Sequence, residues 1–146
     1  MKRQNRWIWQ DAGIDAYTCR TTARPTITVE PIELHYMNSR RYLAGKMEYG
    51  TIALGLYDPI SPSAAQKVLE WVKLCYEALS GRAGYADFYK KTVRLKLLDP
   101  TGIPIESWLL EGVWLTEVNF GDMDMTSAEP VTVDLTLRPD RIILEF

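Results

Sequence analysis

The hydrophobic positions of this chain follow two periods, and the shorter one dominates. Val131, Val133, Leu135 and Leu137 alternate with Thr132, Asp134, Thr136 and Arg138. That period of two marks a strand with one buried face. Residues 6–10 alternate around Trp7 and Trp9, and residues 51–57 place Ile52, Leu54 and Leu56 on one side. Residues 92–98 and 105–120 read as two further strands joined by Asp99-Pro100-Thr101-Gly102, where proline and glycine stand in their favoured turn positions. Gly112 is the one residue without a side chain inside the second of these, which predicts a bulge or bend there. Residues 17–22 read as the hairpin partner of the first strand across the turn Asp11-Ala12-Gly13. Residues 27–29 and 32–36 are apolar but separated by Pro31, which predicts an edge strand or two short pieces. Residues 142–146 form an apolar tail that needs a surface to pack on.

Only residues 61–81 carry the longer period, predicting a helix over about 62–80. Ala65, Val68, Leu69, Val72, Cys75, Tyr76 and Leu79 recur at three- and four-residue steps, and Gln66, Lys67, Glu70, Lys73 and Glu77 fall on the other side. Trp71 and Leu74 widen the apolar face, so one flank is expected to meet something besides the home sheet. Ser61 with Pro62, or Ser63 with Gln66 as a capping box, marks the start, and Gly81 marks the end. Residues 82–91 read as a loop pinned by Tyr85, Phe88 and Tyr89. Residues 37–50 are basic, lack a clean period and end in glycine; they read as a long loop of about 37–50. Met37, Tyr42, Leu43, Met47 and Tyr49 are too apolar to stay in water, so this loop is the expected assembly element, with Arg40 and Arg41 at its rim. The fold class is therefore mainly β with one helix: an antiparallel barrel or sandwich flanked by a single α-helix.

The 146 residues fit one domain, 1–146. No apolar run reaches membrane-spanning length. A net charge of -2 argues against a dedicated nucleic-acid binder. Cys19 and Cys75 have no metal or redox spacing and read as buried free thiols. His35 is the only histidine, so any triad or histidine metal site would rest on it alone. Asp122 and Asp124 match no metal-loop pattern and read as a solvated turn. Gly81 and Gly84 follow a helix instead of preceding one, unlike a phosphate cradle. Nothing here supports an enzyme or a cofactor.

A series of segments carries a resemblance: TCRTTARP, YMNSRR, YLAGKMEYG, AAQKVLEWVKL, YADFYKKTVRLKLLD, LEGVWLTEVN and VDLTL. Their order over residues 17–137 resembles the tail tube proteins of contractile-tailed bacteriophages, related in fold to type VI secretion tubes. The most specific points are Met37-Asn38, Ala44-Gly45, residues 66–71, Tyr89-Lys90-Lys91 and Gly112-Val113-Trp114 with Thr116.

The resemblance implies a structural subunit without catalytic activity. Six copies would form a ring, and rings would stack into a hollow tube that is driven through the host envelope and conducts DNA. The implied partners are further copies of the chain, the tail sheath protein, baseplate or tube-initiator proteins, and a tape-measure protein and DNA transiently in the lumen. The implied location is the virion tail, assembled in the host cytoplasm. Four strands from each of six copies, at ~4.8 Å and a tilt near ~40°, would close at a radius of roughly 24 Å. Thr132, Asp134 and Thr136 are the candidate lumen residues, being short and mostly uncharged. Lys67, Glu70 and Lys73 are the candidate sheath-facing residues, and Met37, Arg40, Arg41, Tyr42, Leu43, Met47 and Tyr49 the candidate subunit interface. The alternatives are a baseplate-proximal initiator or an injection-system tube and, further off, a small-ligand-binding β-barrel.

Overall fold

A computed structural model describes the chain except for residues 11, 12, 15, 62, 78 and 79 and the side chains of residues 86 and 88. Nine strands fall in the order β1 (Trp7–Gln10), β2 (Cys19–Thr22), β3 (Ile27–Tyr36), β4 (Ser39–Tyr49), β5 (Ile52–Tyr57), β6 (Lys91–Leu98), β7 (Pro104–Asn119), β8 (Thr132–Arg138) and β9 (Arg141–Leu144). Helix α1 (Ala64–Cys75) and a one-turn helix α2 (Ala86–Tyr89) lie between β5 and β6. The pairing is antiparallel throughout, and the result is an open sandwich, not a closed barrel.

Strand β7 belongs to both layers. Its first half pairs with β6 on one side and β9 on the other, which with β1 makes the first layer. From Trp114 to Asn119 it pairs with β8, which leads on to β5 and β2 in the second layer. The change of layer falls at Gly112, whose φ is 65°. An L side chain is strained there, and an added Cβ would run into Asp140. Asp140 is itself tied down: its N–H donates to the Glu111 carbonyl at 2.9 Å, and its carboxylate accepts from Lys90 at 2.7 Å.

The alternation read from the sequence is the alternation of the core. Ile52, Leu54 and Leu56 of β5 and Val133, Leu135 and Leu137 of β8 are buried and meet Val93, Leu95, Leu110 and Trp9 from the other layer. The β9 tail pairs with β7 and buries Ile142. The Asp99 turn forms as expected, its carboxylate accepting from the N–H groups of Thr101 and Ile103 at 2.9 and 2.7 Å.

Several expectations are corrected. Strand β1 pairs with β6, not with residues 17–22; those supply a 3-10 turn (Ala16–Thr18) and β2, which is bonded to β5. The short span between β1 and β2 allowed a hairpin, but the apolar faces of Trp7 and Trp9 belong opposite Leu95 and Leu97, and burial decided the partner. The turn read at residues 11–13 falls partly outside the described residues. Residues 37–50 are not a loop. They form β4, which pairs with β3 in a long hairpin closed at Met37-Asn38. Pro31 does not break β3, because it sits beside a bulge in which Gly45 and Lys46 stand opposite Glu30.

The helix is shorter than 62–80. It ends at Cys75, and Tyr76 is already extended and bridged to Ala83. Gly81, at φ 67°, turns this small return: its N–H donates to the Glu77 carbonyl at 2.8 Å. The buried face is Ala64, Val68 and Trp71, while Leu69 and Tyr76 are exposed. Pro62 and Leu79, read as helix residues, lie outside the described residues. Residues 86–89 form a helical turn, not a loop, and the Trp71 Nε1–H donates to the Tyr89 carbonyl at 2.6 Å.

The helix cap also differs. Ser63 is the N-cap, yet its hydroxyl bonds no helix N–H. Asp58 does the capping, its Oδ1 accepting from Ala64 N–H at 3.1 Å, Ala65 N–H at 3.4 Å and the Ser63 hydroxyl at 3.2 Å. A carboxylate at a helix N-terminus is favoured by the helix dipole as well as by these bonds. Asp58→Ala is therefore expected to cost about 0.5–2 kcal/mol in urea denaturation. Ser63→Ala is expected to cost less than about 0.5 kcal/mol. The reverse order would mean that the serine is the cap.

Candidate assembly surfaces

The β3–β4 hairpin pairs with no other strand. Its register sets Ile32 against Leu43, Leu34 against Arg41, and Tyr36 against Ser39. Nearer the body it sets Val29 against Met47 and Ile27 against Tyr49. Residues 32, 34 and 36 share one face of β3, and residues 27 and 29 share the other. The apolar side therefore changes at the Gly45 bulge, where an added Cβ would lie 2.7 Å from the Glu30 carbonyl oxygen. About half the surface of Ile32 and Leu34 is exposed, and Met37 is almost fully exposed at the tip. Met37 also takes a left-handed φ of 48°.

All seven candidate interface residues lie in this hairpin. Met37, Arg40, Arg41, Tyr42, Leu43 and Met47 are exposed, and Tyr49 is half-buried against the core. Arg40 reaches Glu33 across the strands at 3.3 Å, and His35 lies 3.6 Å from the same carboxylate oxygen.

Thr132, Asp134 and Thr136 share the face of β8 that points away from the core. Their neighbours across the sheet are Tyr57, Gly55 and Ala53 of β5 and, from β7, Asn119 beside Asp134 and Glu117 beside Thr136. The face is made of small and polar groups. Its charged members are Arg20, Glu117, Asp134 and Arg138, so it carries two of each sign. The Arg20 guanidinium lies 4.0 Å from Asp134 and 5.7 Å from the Tyr57 ring centre. The backbone of this layer is unpaired at both margins among the described residues. One margin is the outer side of β2, and the other is the outer side of β7 from Trp114 to Asn119.

Of the candidate sheath-facing residues, Glu70 and Lys73 are exposed on α1 and Lys67 is half-buried. Helical spacing puts Lys67, Glu70 and Leu74 on one stripe and Lys73 further round. Cys19 and Cys75 are unbridged and half-buried, and burial pushes the Cys19 thiol up to about 11. Asp124 is engaged in its own turn, accepting from the Thr126 N–H and hydroxyl. Among the described residues no cluster of His, Cys, Asp and Glu side chains is arranged to hold a metal, and no helix is long and apolar enough to cross a membrane.

One site has no counterpart in the sequence reading. On the flank between β1 and β2 a cavity of about 450 Å³ opens, lined by Lys2, Arg3, Arg20 and Arg24 over a floor that includes Trp7 and Leu97. Glu106 is buried beside it. Its carboxylate pairs with Lys2, accepts from the Trp108 Nε1–H at 2.5 Å and lies 3.5 Å from Arg24. The signal was present in the alternation: Glu106 is two and four residues before Trp108 and Leu110, so it falls on the core face of β7. Arg24 lay unremarked beside Pro25.

No family model and no curated protein sequence matches the chain. Solved structures do. A chain of the anti-feeding prophage cap, the tube-terminating cap, matches with a TM-score of 0.80 and 18% identity, covering 99% of this chain and 91% of that one. A chain of the sheath/tube terminator of an extracellular contractile injection system, PVC, matches with a TM-score of 0.79 and 16% identity, covering 99% and 96%. Hcp1 from Flavobacterium johnsoniae matches with a TM-score of 0.56 and 12% identity, covering 96% and 94%. The fold is thus one found in tube and cap assemblies of contractile injection systems and in Hcp1.

The Glu106 cluster makes stability depend on pH. Desolvation raises its pKa, but hydrogen bonds from Lys2 and Trp108 and the charges of Lys2 and Arg24 together outweigh this, and the carboxyl lies below its ordinary 4.5. A depressed folded value gives stability that is complete above the unfolded pKa and lost as pH falls through the folded one. The protein is therefore expected to lose stability as the pH drops below about 4.5. Glu106→Gln should flatten that limb in melts taken across the acid range. An unchanged slope would assign it to other carboxylates.

Proposed function

We propose that the chain is a tube-type structural subunit of a contractile tail or tail-like injection machine, and that its work is self-assembly, with no catalytic group required. The observation that carries this reading is the β3–β4 hairpin. An isolated two-stranded hairpin is marginally stable in water. This one is ten and eleven residues long in its strands, exposes large apolar side chains on both faces, and pairs with no other strand. Burying each such side chain contributes ~1.5–3 kcal/mol. Two faces with their apolar halves on opposite sides suit contact with two neighbours.

The second layer suggests how a ring closes. It has four strands and two unpaired margins, which in the reading proposed here meet between copies. Six copies would give 24 strands and a bore faced by Thr132, Asp134 and Thr136. A face with balanced charge holds little attraction for a phosphate backbone or any other passing cargo. The other side would meet a sheath through Lys67, Glu70 and Lys73, in surface pairs of only ~0.2–1 kcal/mol that release readily. A baseplate or initiator ring would bound the tube, a tape-measure protein and DNA would occupy the lumen transiently, and assembly would take place in the host cytoplasm. A ring that caps or terminates such a tube is the second reading, favoured by the likeness to cap and terminator chains.

Sedimentation and negative-stain micrographs of the purified protein test the proposal. Rings or stacks are the expected outcome, and a monomer at every concentration, with or without baseplate components, removes it. Tyr42→Ser combined with Leu43→Ser should leave urea stability within about 0.5 kcal/mol, because both side chains are exposed. The same variant should abolish rings. An unfolded product would mean that the hairpin serves its own core.

A further inference from the structure

The basic cavity on the β1–β2 flank and the acidic connection after β7 lie at opposite ends of the molecule. β7 runs sixteen residues, a contour of about 50 Å. At its start lies Glu106, held by Lys2 and Arg24 from the cavity wall. At its end the chain leaves Asn119 for residues 121–129, GDMDMTSAE. That connection has three acids, Asp122, Asp124 and Glu129, and no base. Met123 and Met125 are 88% and 106% exposed on it.

The cavity has the reverse character. Lys2, Arg3, Arg20 and Arg24 surround it, with Glu106 as the one buried carboxylate against Lys2 and Arg24. Among the described residues Arg3 pairs with no carboxylate. Its apolar floor of Trp7, Leu95 and Leu97 remains open to a side chain from outside. A volume of about 450 Å³ is that of a small-molecule pocket, so it takes the tip of a loop and not a domain. Methionine is adaptable enough to seat on such a floor.

We infer that residues 121–129 of one copy dock into the Lys2–Arg3–Arg24 cavity of a second copy placed end to end with it. Asp122 and Glu129 meet the cations at the mouth, and Met123 or Met125 enters over Trp7 and Leu97. The contact joins two different surfaces of the same chain. Such a head-to-tail contact does not close on itself and propagates as a stack. It therefore belongs between rings, not within one, and gives the stack a direction. This inference rests on the self-assembly proposed above and adds the contact that stacks the rings.

A charge-exchange experiment tests it. One variant carries Asp122→Lys with Glu129→Lys. These positions spare Asp124, which holds its own turn. A second carries Arg3→Glu with Gln4→Glu, sparing the Lys2 and Arg24 partners of Glu106. Each is first checked for an unchanged thermal midpoint, then assayed for stacking by sedimentation and micrographs at low and high salt. Each alone is expected to raise the concentration needed for stacking about tenfold or more while single rings persist. The two combined in one chain should return it to within about threefold of the parent, because the exchanged charges attract again. Stacking should weaken with salt in the parent. Single variants that stack like the parent, or a combined variant that forms rings without recovered stacking, overturn the docking and leave the self-assembly reading intact. A parent chain that forms no rings overturns both.

Discussion

The bend of β7 at Gly112 is the constraint on which the rest of the structure depends. A sixteen-residue strand that stayed in one layer would give a single twisted sheet with one face in water. By taking a left-handed conformation at Gly112, the strand leaves β6 and β9 and continues beside β8. Both layers then share a backbone, and their apolar faces close on each other. The surroundings hold the bend. Asp140 fills the space a side chain would need, Lys90 holds Asp140, and Arg141 pairs with Glu111 at 2.8 Å through its Nε. Trp114, just beyond the bend, meets Tyr89 edge to face with ring centres 6.2 Å apart. Tyr89 in turn accepts from Trp71, so the helix is fixed to the same point.

The bend also has a cost, which the molecule leaves visible. Moving the second half of β7 into the other layer exposes its outer margin, and β2 exposes the margin opposite. Unpaired strand edges are ordinarily an aggregation hazard that proteins cover with charge, proline or a bulge. β2 is short and irregular in register, but the β7 margin is not protected by Pro or Lys between Trp114 and Asn119. Together with the unsupported hairpin, this describes a subunit whose own core is complete while its surface is not. In the proposed assembly, closure of the ring removes the edges altogether, as it does in a barrel.

Electrostatics divides between interior and ends. Glu106 is a buried charge, and burial alone would favour its neutral form. The paired cations and the Trp108 donor more than offset that. Such a cluster contributes less to net stability than its short contacts suggest, because desolvation cancels much of the attraction. Its clearer consequence is placement. It draws Lys2 and Arg24 to one end of the molecule, while the acidic segment after β7 collects at the other, and the near-zero net charge of the chain conceals this polarity.

The sequence by itself determined the composition of the core, because alternation is local. Residues 52–56 and 131–137 show their buried faces without reference to any partner, and so did the Asp99 turn, the break at Gly112 and the existence of one amphipathic helix. It did not determine which strands are neighbours. β1 has a convenient hairpin partner in β2 and takes β6, because burying Trp7 and Trp9 outweighs loop economy. It did not reveal β4, where residues 39–49 lack alternation because the Gly45 bulge shifts the apolar side midway and neither face meets the home core. Nor did it reveal the Asp58 cap, since Ser63 is the better cap by composition and only the geometry of the turn brings the carboxylate to the helix. The basic cavity arises from residues 2, 3, 20 and 24, which are distant from Glu106 along the chain. Pairing, caps between segments and charge clusters depend on what the folded chain brings together, and that is decided by tertiary packing.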